Sequence, residues 1–165
     1  MKKILTFQHK SVLDKINEGV YKCDILSKYY NNTPKCYKML RDRLRIDHNP
    51  IFGWAKVLEE EINVNQKTIK RCLEMTEFDS KDYVLLELNI PDKFVDLQNF
   101  YMFVDVRCEE EGIDPYYENF EDFPFDVIFE FEENEEIQAT FPEIRKEWIE
   151  NIYSFNDKCE YELYE

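Results

Sequence analysis

The run Tyr83-Val84-Leu85-Leu86-Glu87-Leu88-Asn89-Ile90 is nearly continuous in apolar residues and stops at Pro91. Such a run predicts a strand buried on both faces, in the middle of a sheet. Residues 4–8 predict a buried first strand, 51–58 another and 137–141 a short one. Residues 127–131 alternate weakly and predict an edge strand, and Gly19-Val20-Tyr21 begins a further extended piece.

Elsewhere the apolar period is helical. Ser11, with Asp14 three residues later, predicts a short helix that turns Val12, Leu13 and Ile16 inward and ends at Gly19. Thr33-Pro34 is a helix start, and Cys36, Tyr37, Leu40 and Leu44 mark the inner face of a helix closed by Asn49-Pro50. Glu59-Glu60-Glu61 reads as a solvated break. Residues 66–75 predict a second basic helix with Ile69, Cys72 and Leu73 inward; residues 97–110 mix periods and favour a helix. Pro142 opens a predicted amphipathic helix in which Ile144, Trp148 and Ile152 recur every four residues. Residues 112–124 hold Asp114-Pro115 and Phe123-Pro124 and predict a loop, packed down by its own aromatics. Helices and strands mix without regular β-α-β alternation. The expected fold is α+β, a single domain over residues 1–165 with a mixed or largely antiparallel sheet and packed helices.

Composition agrees with one domain and narrows the chemistry. The chain has 165 residues, 44% hydrophobic and 16% aromatic, which is enough for a core without disulfides or metal. Gly19, Gly53 and Gly112 lie too far apart for a glycine-rich phosphate cradle. The cysteines, Cys23, Cys36, Cys72, Cys108 and Cys159, are odd in number and widely spaced, and read as reduced and mostly buried. No apolar stretch is long enough to span a bilayer, and the segment after Met1-Lys2-Lys3 is too short and polar for a signal peptide, so the expected setting is cytoplasmic.

Charge divides the chain. Residues 1–72 carry 15 basic against 8 acidic side chains, and residues 73–165 carry 6 against 28. The stretch from Glu109 to Glu136 holds 13 acids and no base. That field repels nucleic-acid phosphates and attracts basic surfaces. It is either a solvated face, a counterweight to the basic half within the domain, or a docking surface. The docking reading takes Glu109, Glu110, Glu111, Tyr116, Tyr117, Glu121, Asp122, Glu130, Glu132 and Glu133 as contacts for a basic partner protein. One version is an inhibitor that masks a nucleic-acid-binding surface.

Several pieces form an ordered set: Thr6-Phe7-Gln8; Gly19-Val20-Tyr21 with Asp24; Pro50-Ile51-Phe52-Gly53-Trp54; Val84-Leu85-Leu86-Glu87-Leu88 before Pro91; and Ile137-Gln138-Ala139-Thr140-Phe141 with Trp148. The set resembles the bacterial family catalogued as domain of unknown function 3841 over nearly the whole chain. The chain departs from it at Met39 and Phe52, where such proteins tend to carry tryptophan, and in an expanded stretch at residues 59–79. The resemblance implies a single domain and no particular reaction.

Two other sites are candidates. Lys38, Arg41, Arg45, Lys70 and Arg71 form a basic set that would suit an anionic ligand such as a nucleotide if the two helices lie side by side; otherwise they are solvated or ion-paired helix faces. His9, Tyr21, Glu136 and Gln138 are a polar set on predicted strands. Their layout is similar, by fold analogy, to ADP-ribosyltransferase-like proteins. That analogy implies a histidine on the ribose, a tyrosine against nicotinamide and a carboxylate facing the oxocarbenium-like charge of an NAD- or nucleotide-using transferase. It requires all four in one cleft. No metal site and no resident cofactor is assigned, and the absence of G-x-S-x-G argues against a serine hydrolase.

Overall fold

The computed structural model describes residues 1–23, 31–58, 60–75, 80–132, 135–156 and 160–164. The elements are β1 (Lys2–His9), α1 (Val12–Asn17), β2 (Val20–Tyr21), α2 (Pro34–Leu44), β3 (Ile51–Val57), β4 (Glu60–Glu61), α3 (Gln66–Glu74), β5 (Tyr83–Ile90), β6 (Asp96–Asn99), α4 (Phe100–Glu111), β7 (Ile137–Phe141), β8 (Ile144–Arg145), β9 (Ile149–Phe155) and β10 (Tyr161–Leu163). The main sheet runs β10-β9-β5-β1-β3-β7-β6, with β4 paired to β3 off that path. Every described pairing is antiparallel. The fold is α+β, and its sheet is antiparallel.

The apolar run of β5 lies between β1 and β9 and is buried on both faces. Alternation within each strand separates two layers. Ile4, Leu86, Leu88, Ile90, Ala139 and Phe141 face α1, Tyr21 and Trp148 in one cluster. Leu5, Trp54 and Leu85 face α3 through Ile69 and Cys72 in a second. A third cluster joins Cys36 and Leu40 of α2 to Phe103 and Val106 of α4 and to Phe123 and Ile128.

The helix ends follow local chemistry. The Asn65 side chain accepts from Thr68 N at the start of α3, and the Asn99 side chain accepts from Tyr101 N and Met102 N at the start of α4. Gly112, at φ 70°, ends α4 in the left-handed conformation that glycine adopts without cost. Ser11 does not cap α1 with its side chain; its Oγ lies 2.8 Å from His9 Nδ1.

Four expectations are corrected. Residues after Pro142 form β8, a 3-10 turn at Lys146–Trp148 and β9, not a helix. Ile144, Trp148 and Ile152 fall in three different elements, and β9 is held as a strand by partners on both sides, β5 and β10. Residues 97–110 are not all helix, because β6 takes residues up to Asn99 and occupies the sheet edge beside β7. Residues 127–131 form no strand; Phe125–Phe129 is a 3-10 turn that buries Ile128. Glu60 and Glu61 pair with Val57 and Lys56 and do not form a simple break; Glu59 lies outside the described residues.

Gly53 stands where the sheet is tightest. A Cβ there would sit 2.5 Å from Ile4 Cγ2 and 2.9 Å from the Leu5 carbonyl oxygen. Gly53→Ala is expected to destabilise the fold by about 1–3 kcal/mol, read as a lowered urea midpoint; an unchanged midpoint would show that β1 and β3 yield freely. Glu87 is buried at the centre of the sheet. Burial alone would raise its carboxyl, but bonds from Asn151 Nδ2 (2.8 Å), Lys3 Nζ (2.9 Å) and Tyr153 Oη (3.2 Å) outweigh it and hold the carboxyl below its ordinary range. A lowered folded value stabilises above the unfolded value of about 4.3 and loses that contribution as pH falls through the folded value. Glu87→Gln is thus expected to lower stability at pH 7, with the gap to the native protein closing below about pH 4. A gap independent of pH in parallel urea titrations would contradict this.

Candidate functional site

The acidic stretch divides into carboxylates the fold consumes and carboxylates it leaves outside. Glu110, in the last turn of α4, accepts from Lys35 N (2.6 Å) and Cys36 N (2.8 Å) at the start of α2. Thr33 makes no side-chain cap there, so a carboxylate from another helix satisfies donors that the first turn cannot. Glu109 accepts from Tyr116 N (2.6 Å) and Tyr117 N (3.3 Å) and ties the following loop back to α4. Glu121 pairs with the Lys35 ammonium, which holds its carboxyl below the ordinary range. Glu136 is buried against Arg71, with Nε donating to Oε1 at 2.8 Å, while Oε2 has no hydrogen-bond partner among the described residues.

Glu109 and Glu110 thus cap backbone donors of the chain itself, and Glu121 is paired with Lys35 within the chain. Glu133 lies outside the described residues. Asp122 takes a long bond from Asn119 Nδ2 at 3.4 Å and is exposed. Glu111, Asp114, Glu118, Glu130 and Glu132 have no basic partner among the described residues; all but the half-buried Glu111 are exposed.

The aromatics of this stretch form a chain of ring contacts from Tyr116 to Tyr117 (5.3 Å), Tyr117 to Phe123 (5.6 Å) and Phe123 to Phe125 (5.7 Å). Tyr117, Phe123 and Phe125 pack on the α2–α4 cluster, which holds the loop down as its composition suggested. Tyr116 stands at the outer end and is 87% exposed; Ile113 is 55% exposed and Phe131 41%. Asp114 adopts φ 52°, in the left-handed region that aspartate enters more readily than most residues with a side chain. Ile113 and Phe131 were not singled out from the sequence, because a single exposed apolar residue carries no periodic signal.

The basic set does not assemble. The α2 and α3 helices join different clusters. Lys38 pairs with Asp42 on its own helix, and Arg71 turns to Glu136 and to Tyr101 Oη at 2.7 Å. Arg41 is half-buried, whereas Arg45 and Lys70 are exposed. A cation that sequence reading passed over is the better held one: Arg43 donates from Nε to Asp96 Oδ2 (2.6 Å) and from Nη2 to Oδ1 (2.8 Å), and its guanidinium lies 3.4 Å over the Phe129 ring.

The polar strand set is likewise dispersed. Leu5 pairs with Trp54 and Trp54 with Gln138, so His9, beyond Leu5, and Glu136, before Gln138, lie at opposite ends of the sheet. Tyr21 is buried in the cluster on the α1 face. Gln138 is buried on the other face, with Nε2 donating to Gln98 Oε1 at 3.4 Å, beneath a Gln98–Thr140 bond of 2.9 Å. No single cleft contains His9, Tyr21, Glu136 and Gln138. The described cysteines are free thiols. Burial, reinforced by Glu110 and Glu136 respectively, pushes Cys36 and Cys72 up to about 12, far from a thiolate at neutral pH. Among the described residues no helix is long and apolar enough to cross a membrane, and no group of three or more His, Cys, Asp or Glu gathers as a metal site.

The two uses of carboxylate separate under mutation. Glu110→Ala strands two backbone donors and is expected to cost about 1–2 kcal/mol, whereas Glu118→Ala is expected to stay within about 0.5 kcal/mol of the native protein. Equal losses in chemical denaturation would show that Glu110 is no cap. Comparison with protein-family models, with curated proteins and with solved structures found no match.

Proposed function

We propose that this protein acts by binding a basic surface of a partner protein, through residues 113–118 with Tyr116 as the anchor. The observation that carries the reading is the presentation of Tyr116. Its ring is 87% exposed, yet its backbone N–H is held by Glu109 and its ring abuts Tyr117. A backbone already tied down beneath the ring lowers the ordering cost when that ring enters a pocket. Asp114 and Glu118 flank it with carboxylates that lack basic partners among the described residues. Exposed tyrosine ringed by acid suits a pocket ringed by lysine and arginine, where charge steers encounter and the ring supplies contact area.

The net charge of −15 supports the same choice and disfavours nucleic acid as the direct ligand. One form of this activity is inhibition, in which the acidic loop occupies the phosphate-binding face of a nucleic-acid-binding protein. A cytoplasmic setting belongs to the proposal, as does the likeness to domain of unknown function 3841, which adds no reaction to it.

Affinity capture at low and at high salt tests the reading, with the native chain beside Tyr116→Ala and Asp114→Lys/Glu118→Lys. A basic protein should be retained at low salt, released at high salt, and weakened at least about tenfold by either variant. Retention that ignores salt and both variants would place the interface elsewhere.

A further inference from the structure

A half-open groove of about 310 Å³ lies at the C-terminal end of α2, between the Asp92–Phe94 turn and the start of β6. Arg43, Arg45, Lys93, Phe94, Asp96 and Pro142 are among the residues that line it. Its volume is that of a small-ligand site.

The charges around it are unevenly satisfied. Asp96 is bound by Arg43 through two bonds, so this acid and this base cancel. The neighbouring acid Asp92 is taken by the amino group of Met1 at 3.0 Å, and Glu143 is taken by Arg145. Arg45 and Lys93 remain: both are exposed, and neither has a carboxylate partner among the described residues. Arg45 follows α2 in a left-handed conformation, φ 56°, with its N–H bonded back to the helix, which fixes its place in the lining. Two uncompensated cations thus share one concavity in a chain whose net charge is −15.

The remaining surface is apolar. Phe94 is braced by Trp148, with ring centroids 5.3 Å apart; the Lys93 ammonium lies 5.0 Å and the Arg145 guanidinium 5.7 Å from its ring centroid, and Pro142 is part of the same lining. From this juxtaposition we infer that the groove binds a small organic phosphate monoester. Its dianionic head is matched by Arg45 and Lys93, and its apolar body rests on Phe94 and Pro142. Arg43 shapes the wall and does not grip the ligand, because Asp96 and Phe129 already hold it.

Phenyl phosphate is the probe, with inorganic phosphate and phenol as controls, followed by backbone amide NMR of the full chain. Saturable shifts centred on residues 43–45, 93–96 and 142 are expected with phenyl phosphate, at least about tenfold tighter than with inorganic phosphate, and none with phenol. Arg45→Gln/Lys93→Gln, at exposed positions, should keep the native spectrum and lose the binding. Three results would overturn the inference: no saturation by phenyl phosphate, inorganic phosphate binding as tightly as phenyl phosphate, or undiminished binding by the double variant.

Discussion

The carboxylates in the last turn of α4 hold the helical layer together by accepting from backbone N–H groups of other segments. Glu110 closes the start of α2, and Glu109 closes the loop that carries Tyr116. A carboxylate facing a helix start meets both unpaired donors and the positive end of the helix dipole. At Glu110 the two bonds together are worth about 1–2 kcal/mol. The acidic stretch is thereby sorted. Its members nearest the helix become structure, and those at the loop tip stay in water.

The same division of labour runs through the sheet. The face toward α1 is apolar, from Ile4 to Phe141. On the other face, near the β6 edge, a polar ladder links Arg43 to Asp96, Asp96 to Gln98 (3.2 Å), and Gln98 to Thr140 and Gln138. Buried amides must be paired to be tolerated, and a ladder paired in only one way fixes the alignment of β6 on β7. A slip of β6 would strand Gln98 and Asp96 together. The wall of the groove is the outer end of this ladder, so its shape follows from the register of the sheet.

The central strands were legible because burial on both faces writes an unmistakable run, as at Tyr83–Ile90. The helix start at Pro34 was legible from local chemistry, and the helix from Gln66 from its apolar face. The segment after Pro142 was not. The spacing of Ile144, Trp148 and Ile152 imitates a helical stripe, but the three fall in β8, the 3-10 turn and β9, and pairing with β2 and β5 decides the structure. There, the pairing shifts between Glu87 and Leu88, which keeps Ile149 and Ile152 in the cluster with Trp148. The acidic stretch was legible as a charge but not as a set of roles. Nothing local distinguishes Glu110 from Glu111, since the donors Glu110 meets lie more than 70 residues away. The same distance in sequence hid Arg43, whose partner Asp96 is 53 residues on. His9, Tyr21, Glu136 and Gln138 failed to converge for a related reason, because strand order, which composition does not encode, decides which strand ends meet.

A net charge of −15 describes the molecule seen from afar, and not either of its surfaces. At physiological ionic strength a charge is screened beyond roughly 8 Å, so each surface is governed by the groups it contains. The tip around Tyr116 keeps its acids because no lysine or arginine faces them among the described residues. The groove keeps its cations because Asp92, Asp96 and Glu143 are already bound elsewhere. Arg43 touches both regions, lying over Phe129, feeling the charge of Asp126 and gripping Asp96. Burial opposes its charge, but the Asp96 bonds outweigh that and hold its proton more firmly than usual. Its role is that of a strut between the acidic segment and the sheet edge. A strut neutralised at both ends leaves the binding to the unpaired charges on either side of it.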